Sequence, residues 1–274
     1  MQEIERKEIL QWEEKAAERL LNATTYEQRR KLYSAIYNKD NLFWLKKHGD
    51  MGISGQSAQD HLLLKAAFPG NGPILDVGGG IGIAGYAFPE ATIYIVCDAS
   101  LESLYFTAHK NDSRAKMKAA GYATELPFRD RTFEGVLLLD VMEHLHPDDI
   151  EVCLKEIKRV MRPGGRLLIS TPNRLSGPWD MRRDYPERWN NHGLHICEMT
   201  VCQIIKLLTG HGFHPLAFQM KSYQGWLFHL RPLLLWATLW ENLMRLVPWK
   251  ERPRFCEISI VVANLPLSKK EPKA

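Results

Sequence analysis

Cysteine is scarce in this chain of 274 residues, and what there is does not pair. Cys97, Cys153, Cys197, Cys202 and Cys256 are odd in number and nowhere spaced Cys-x-x-Cys. That pattern excludes a disulfide scaffold and a cysteine-rich zinc site, and it implies a reducing compartment with the thiols buried as small apolar groups. Charge of one sign is also lacking: Lys and Arg number 36, Asp and Glu 32, a net +4. So small an excess argues against a nucleic-acid partner, although a local basic patch stays open. No apolar run is long enough to span a bilayer. Nor does a secretory leader open the chain, because Met1-Gln2-Glu3-Ile4-Glu5-Arg6-Lys7 is charged with no apolar core behind it; a cytoplasmic protein is expected. What remains, 45% hydrophobic and 25% charged, is the composition of an ordinary globular domain with additions.

The stretch Leu75-Asp76-Val77-Gly78-Gly79-Gly80-Ile81-Gly82 organises the rest. An apolar run leads into an acidic residue and a glycine cluster, and Ile83, Ala84 and Ala87 follow, which reads as strand, tight turn, helix. Glycines permit positive φ and bring bare N–H groups close to a ligand. The dinucleotide-binding spacing fails, since the sixth position from Gly78 is Ile83 where that fingerprint needs Gly or Ala. A glycine-rich turn of some other α/β fold fits this stretch alone.

Downstream segments narrow the choice. Thr92 to Cys97 is almost wholly apolar, as a parallel strand buried on both faces should be, and stops at Asp98. A carboxylate there suits two ribose hydroxyls, and it equally suits the start of the helix from Ser100; the roles are compatible. Ala123-Thr124-Glu125-Leu126-Pro127-Phe128, a polar turn, and an apolar strand ending at Asp140 come next. Then follow Asp140-Val141-Met142-Glu143-His144, an amphipathic helix from Asp148 to Met161, and Pro163-Gly164-Gly165 before a strand ending in Thr171-Pro172-Asn173.

These ordered segments resemble the class I S-adenosylmethionine (AdoMet) methyltransferases. The resemblance implies an α/β fold: a Rossmann-like, seven-stranded, mostly parallel sheet with helices on both faces and the last strand antiparallel. It assigns residues 1–54 to an N-terminal helical extension acting as a lid, 55–266 to the methyltransferase domain with a helical insertion at 225–250, and 267–274 to a disordered tail. Tyr33, Tyr37, Phe43 and Trp44 become candidates for closing over the ligand. The implied cofactor residues are Asp76, Gly78, Gly79, Gly80, Gly82, Asp98, Ala99, Tyr122, Ala123, Thr124, Asp140 and Val141. Tyr122 stands where the family usually has Asp, so the usual hydrogen bond to the adenine amino group is replaced by stacking or by the Ala123 backbone.

Asp140-x-x-Glu143-His144 looks like the matching segment of ubiquinone-pathway and sugar O-methyltransferases, which makes His144 the general base and Glu143 its partner. The plainer reading is that both residues cap the following helix. A third reading is a divalent metal at Glu143 and His144, joined by His195 and by Asp140, similar to the cluster of metal-dependent 2′-O-methyltransferases of small RNAs; there Asp140 replaces the more usual Glu. The expected reaction is O-methylation of a small or lipid-like hydroxylated metabolite, giving S-adenosylhomocysteine. The alternatives are RNA methylation and a non-catalytic AdoMet-binding protein. The insertion from Trp226 to Trp249, apolar around most of its circumference, reads as a lid or homodimer face, a greasy pocket wall, or an interfacial helix in peripheral contact with a membrane.

Overall fold

In a computed structural model of the chain, the described residues are 3–48, 58–90, 92–108, 115, 117–175, 177–188, 191–222, 225–230, 239, 241–243, 245–246 and 258–267. Two helices open it, α1 (Glu3–Leu21) and α2 (Tyr26–His48), followed by α3 (Ala58–Ala67). The α/β core then runs β1 (Ile74–Val77), β2 (Tyr94–Asp98), α4 (Leu101–Ala108), β3 (Met117–Ala120), β4 (Phe133–Leu139), α5 (Pro147–Val160), β5 (Met161–Pro172), α6 (Val201–Gly210), β6 (His214–Ser222), β7 (Gly225–Leu230) and β8 (Ile258–Asn264). The sheet order is β3-β2-β1-β4-β5-β8-β6-β7. β1 to β5 are parallel, and β8 lies antiparallel between β5 and β6.

Period-2 alternation sends successive strand residues to opposite faces, and each face has its own core. Leu75, Val77, Val136, Leu138, Leu167, Ile169, Val261 and Ala263 pack with Cys153, Leu154, Ile157, Ile204 and Leu208 of α5 and α6. Ile74, Tyr94, Val96, Leu137, Leu168, Ile260 and Val262 pack on the other side with Leu64, Phe68, Phe88 and Leu104. Every residue of β1 and β2 is buried, which is why these strands read as unbroken apolar runs.

The ends of the helices are built locally. Pro147 sits in the first turn of α5, His146 accepts a hydrogen bond from the Asp148 N–H through Nδ1, and Asp148 and Asp149 face the positive end of the helix dipole. The cap of α5 is therefore His146, which removes the reading of Glu143 and His144 as its cap. α6 begins with a reciprocal Thr200/Gln203 capping box.

The structure differs from the sequence expectations at three places. After the glycines comes a 3-10 turn, Ile83–Ala87, in place of a longer helix, because Phe88-Pro89 stops it within five residues. The expected helical insertion opens as a strand: β7 pairs antiparallel with β6 and makes an eighth strand at the sheet edge. Third, the short edge strand β3 has no apolar signature in the sequence, since all four of its residues are at least partly exposed. Of the rest of the insertion, Leu239, residues 241–243 and residues 245–246 are described, and they are helical. Residues 268–274 of the expected tail lie outside the described residues, as do the side chains of Phe43 and Trp44. Among the described residues no helix is long and apolar enough to cross a membrane.

Candidate active site

The C-terminal ends of β1, β2 and β4 meet at one crevice, where a parallel sheet exposes backbone N–H groups and loop residues to a ligand. A cavity of about 160 Å³ opens there, and Gly78, Asp98, Ala99, Tyr122, Ala123, Thr124, Asp140, Val141 and His144 of the sequence-predicted set line it. Gly121 and Leu145 line it as well and were missed; each adjoins a named residue, and no side-chain chemistry marks it.

The glycine bend has its shape for definite reasons. Gly78, Gly80 and Gly82 have φ of 70°, 53° and 82°, a region that L side chains rarely adopt. At Gly78 space is also short, because a Cβ would come within 2.4 Å of the Val141 side chain, whereas at Gly80 it would meet nothing within 4 Å. Asp98 ties the bend to β2: Oδ2 accepts from the Gly80 N–H at 2.8 Å and Oδ1 from the Ser100 N–H at 2.7 Å. Burial raises the Asp98 pKa, opposed by those backbone donors. Asp76 lies beneath the bend, hydrogen-bonded by the Tyr94 hydroxyl, and burial pushes it up to about 7 with help from the charge of Asp98. Asp76, Gly79, Gly80 and Gly82 thus shape the loop from behind the cavity wall.

α2 closes one side. Arg29 makes two 2.7 Å bonds to Asp149, and Tyr33 donates to Asp149 at 2.8 Å and accepts from the His146 N–H at 2.8 Å. Arg29 and Asp149 are both buried, so the helix is pinned to the start of α5 by a water-excluded ion pair. Next to this anchor, Ser34 donates to the Ala99 carbonyl at 3.1 Å, Tyr122 donates to Ser34 at 3.3 Å, and Arg30 lies 4.8 Å over the Tyr122 ring. Tyr26 and Thr124 share a 2.8 Å bond. Tyr33 and Tyr37 of this helix line the cavity.

On the far wall stands His144, in edge contact with Tyr37 at 5.4 Å. Its Nδ1 lies 3.1 Å from the Leu194 carbonyl, so Nδ1 carries the proton and Nε2 keeps its lone pair. Burial, and then the positive charge of His195, push its pKa down to about 3. The near-neutral imidazole expected of a general base is thereby replaced by one that stays uncharged and binds a proton weakly. Glu143 is fully buried and accepts from Thr171 at 3.0 Å, while its Oε1 has no partner among the described residues. Burial and the charge of Asp140 raise it to about 8.

His195 arrives from the loop before α6. Burial alone would lower its pKa, but a 3.0 Å bond to Glu198 and the charges of Glu143, Glu198 and Asp180 raise it to about 9. Asp180 and Arg182 form a buried pair that braces this loop, and the Arg182 guanidinium also donates to the Asn191 carbonyl. At Gly193 a Cβ would fall within 2.1 Å of the Asp180 carboxylate, so only glycine passes there. One donor atom each from Glu143, His144 and His195 lies within 4.8 Å of the other two. Asp140, which the sequence resemblance adds to a metal set, is not part of this group; it takes φ of 52° and accepts from Ser170 at 3.1 Å. Cys97 and Cys153 are pushed up to about 12 by burial, which leaves them as apolar packing groups.

A parallel sheet with an antiparallel strand inserted beside β5, a glycine bend after β1 and an acidic end to β2 define the class I methyltransferase fold. Residues 75–169 match the methyltransferase domain family, and the fold around them is that of the class I S-adenosylmethionine-dependent methyltransferases. It is 37% identical over 97 residues to a demethylmenaquinone methyltransferase of Streptomyces avermitilis, a match covering 35% of this chain and 40% of that protein. Over 93 residues it is 34% identical to a fatty-acid O-methyltransferase of Mycolicibacterium smegmatis, covering 34% and 33%. The chain thus matches less than half the length of these relatives. Among solved structures, a SAM-dependent methyltransferase of Thermotoga maritima superposes with a TM-score of 0.57 at 16% identity, over 85% of this chain and 99% of that one. A Burkholderia thailandensis 1,6-didemethyltoxoflavin-N1-methyltransferase, solved with S-adenosylhomocysteine, gives 0.55 at 19% identity over 85% and 89%.

Proposed function

We propose that this chain transfers the methyl group of AdoMet to a hydroxyl of a small or lipid-like molecule. The observation that carries the reading is the placement of His144, with Nε2 unprotonated, on the same cavity as Asp98 and the Gly78 bend. The cofactor fits the residues present. The bend at Gly78 has no room for a side chain, Asp98 stands where ribose hydroxyls need an acceptor, and Tyr122 to Thr124 offer a face and backbone groups to a flat base. AdoMet supplies a sulfonium-activated methyl; the acceptor oxygen bonds to that carbon as the carbon–sulfur bond breaks, and S-adenosylhomocysteine leaves.

The protein's share is alignment and custody of one proton. His144 Nε2 accepts the hydrogen bond of the acceptor hydroxyl and sets its direction. Glu143, with the higher pKa of the two, takes the proton in its ionised form, the fraction of which grows as pH approaches 8. The likeness to a demethylmenaquinone methyltransferase and a fatty-acid O-methyltransferase supports an acceptor with apolar bulk. Mass spectrometry of an organic extract incubated with the protein and methyl-labelled AdoMet tests this: a labelled lipid-soluble product is expected, and label confined to AdoMet counts against it.

One observation favours a second reading, a divalent metal. Glu143 Oε1 is orphaned, and each imidazole has Nδ1 engaged, His144 with a carbonyl and His195 with a carboxylate, as the histidines of metal sites usually do. Glu143, His144 and His195 would hold the ion, which would lower the pKa of a bound hydroxyl.

A further inference from the structure

The helical residues before β8 are turned inside out. Glu241 is 5% exposed and accepts from the Cys202 N–H at 2.7 Å, filling a donor of the first turn of α6. Leu239, Leu243 and Leu246, meanwhile, are 57%, 52% and 81% exposed. Steps of four and three residues put these leucines on one helical face, and Glu241 falls on the opposite one. A helix on a globular protein ordinarily does the reverse, so the outward stripe is suited to a second apolar phase. The charged residues near it in sequence are mostly of one sign. Arg245, one turn on from Glu241, is exposed, and Arg231, Lys250, Arg252 and Arg254 flank the segment in sequence against Glu251 alone once Glu241 is turned inward. Four of the eight tryptophans, Trp226, Trp236, Trp240 and Trp249, fall in the same stretch.

We propose that this face docks on an anionic lipid surface, with the leucines at the acyl boundary and the basic side chains at the headgroups. A second copy of the chain fits less well. Stable dimers bury about 800 Å² per partner, which three leucines do not supply. The location has a consequence for access. Cys202 follows the loop whose Cys197 N–H bonds the Glu143 carbonyl and whose Met199 pairs with Asn173. Docking therefore sets the bilayer beside the loop that covers the Glu143/His144 wall. The docking itself does not depend on the methyl-transfer reading.

Flotation of the full chain with vesicles of phosphatidylcholine alone, and of phosphatidylcholine with phosphatidylglycerol, tests it. Binding to the anionic vesicles, weakened by salt, is expected. The Leu239→Ser/Leu243→Ser/Leu246→Ser variant should partition on the order of a hundredfold less while keeping its melting temperature and its AdoMet affinity. No flotation with either vesicle, or equal binding by the variant, would overturn the proposal. A dimer seen by sedimentation velocity and lost in the variant would also overturn it, by assigning the face to a second copy. AdoMet affinity is read separately, so none of these outcomes bears on methyl transfer.

Discussion

His195 stands edge-on to His144 with 4.7 Å between ring centres, and the two rings hold opposite protonation states at neutral pH. His195 is kept charged by Glu198 and its acidic neighbours; His144 is kept neutral by burial and by that very charge. The pair, with Glu143 close by, stores one positive charge next to the unprotonated Nε2 of a cavity-lining ring.

Raised pKa values make the fold sensitive to alkali. His195 goes from 6.5 to about 9 and Glu143 from 4.5 to about 8 on folding, so both bind protons more tightly in the native state. The stability each contributes is fully present below its unfolded value and is lost as pH rises through its folded one. The melting temperature should fall between pH 6.5 and 9, and Glu143→Gln should flatten the part of that fall below pH 8. Thermal scans across this range check it; a flat profile in the parent protein would contradict the assignment.

Methyl transfer should depend on Glu143 more than on the charge of His144. Glu143→Gln removes the proton acceptor and should lower kcat roughly a hundredfold or more, the usual scale of a lost acid–base group, with little change in AdoMet affinity. His144→Gln should raise KM for the acceptor as well as lower kcat, because it removes an orienting acceptor on the cavity wall. If a metal is held here, chelators abolish turnover in the parent protein and added divalent ion restores it, whereas Glu143→Gln stays inactive with or without the ion.

Two glycines of the bend should respond differently to alanine. Gly78→Ala meets both a positive φ and the Val141 side chain, and should weaken AdoMet binding and destabilise the fold, with strain on the order of 1–3 kcal/mol. Gly80→Ala meets only the backbone cost, about 1 kcal/mol. Equal effects in calorimetry and thermal melts would show that crowding against Val141 plays no part.

The hold of α2 rests on a buried ion pair. Asp149→Asn leaves the buried Arg29 guanidinium with only the exposed Asp148 carboxylate, 3.9 Å away, as counter-charge, and should cost about 3 kcal/mol. In Arg29→Met/Asp149→Leu the loss should be clearly less than the sum of the single changes. Urea denaturation of the set measures the coupling.

How much of this was legible in the sequence follows from contact range. The segments from Leu75 to Asn173 are local: apolar runs, glycines and Asp98 announce strand ends because each strand is buried along its length. The Arg29–Asp149–Tyr33 anchor could not be read, since Asp149 lies 116 to 120 residues from the other two and charged residues on a helix ordinarily face water. The same holds for the Asp180–Arg182 brace, whose two residues lie two apart in sequence but look like solvated loop charges until burial shows otherwise. β7 was hidden because Trp226 to Leu230 is a short apolar run, which periodicity alone assigns to either helix or strand. The low pKa of His144 was invisible for a related reason: it comes first from burial and then from a charged ring fifty-one positions away, on a loop with no secondary-structure signal.

Calorimetric titration of the folded chain with AdoMet tests the central claim most directly. Saturable heat at a single site is predicted, with affinity reduced roughly tenfold or more in Asp98→Ala through loss of a charged hydrogen-bond acceptor. Absence of heat from correctly folded protein, or unchanged affinity in Asp98→Ala, would contradict it.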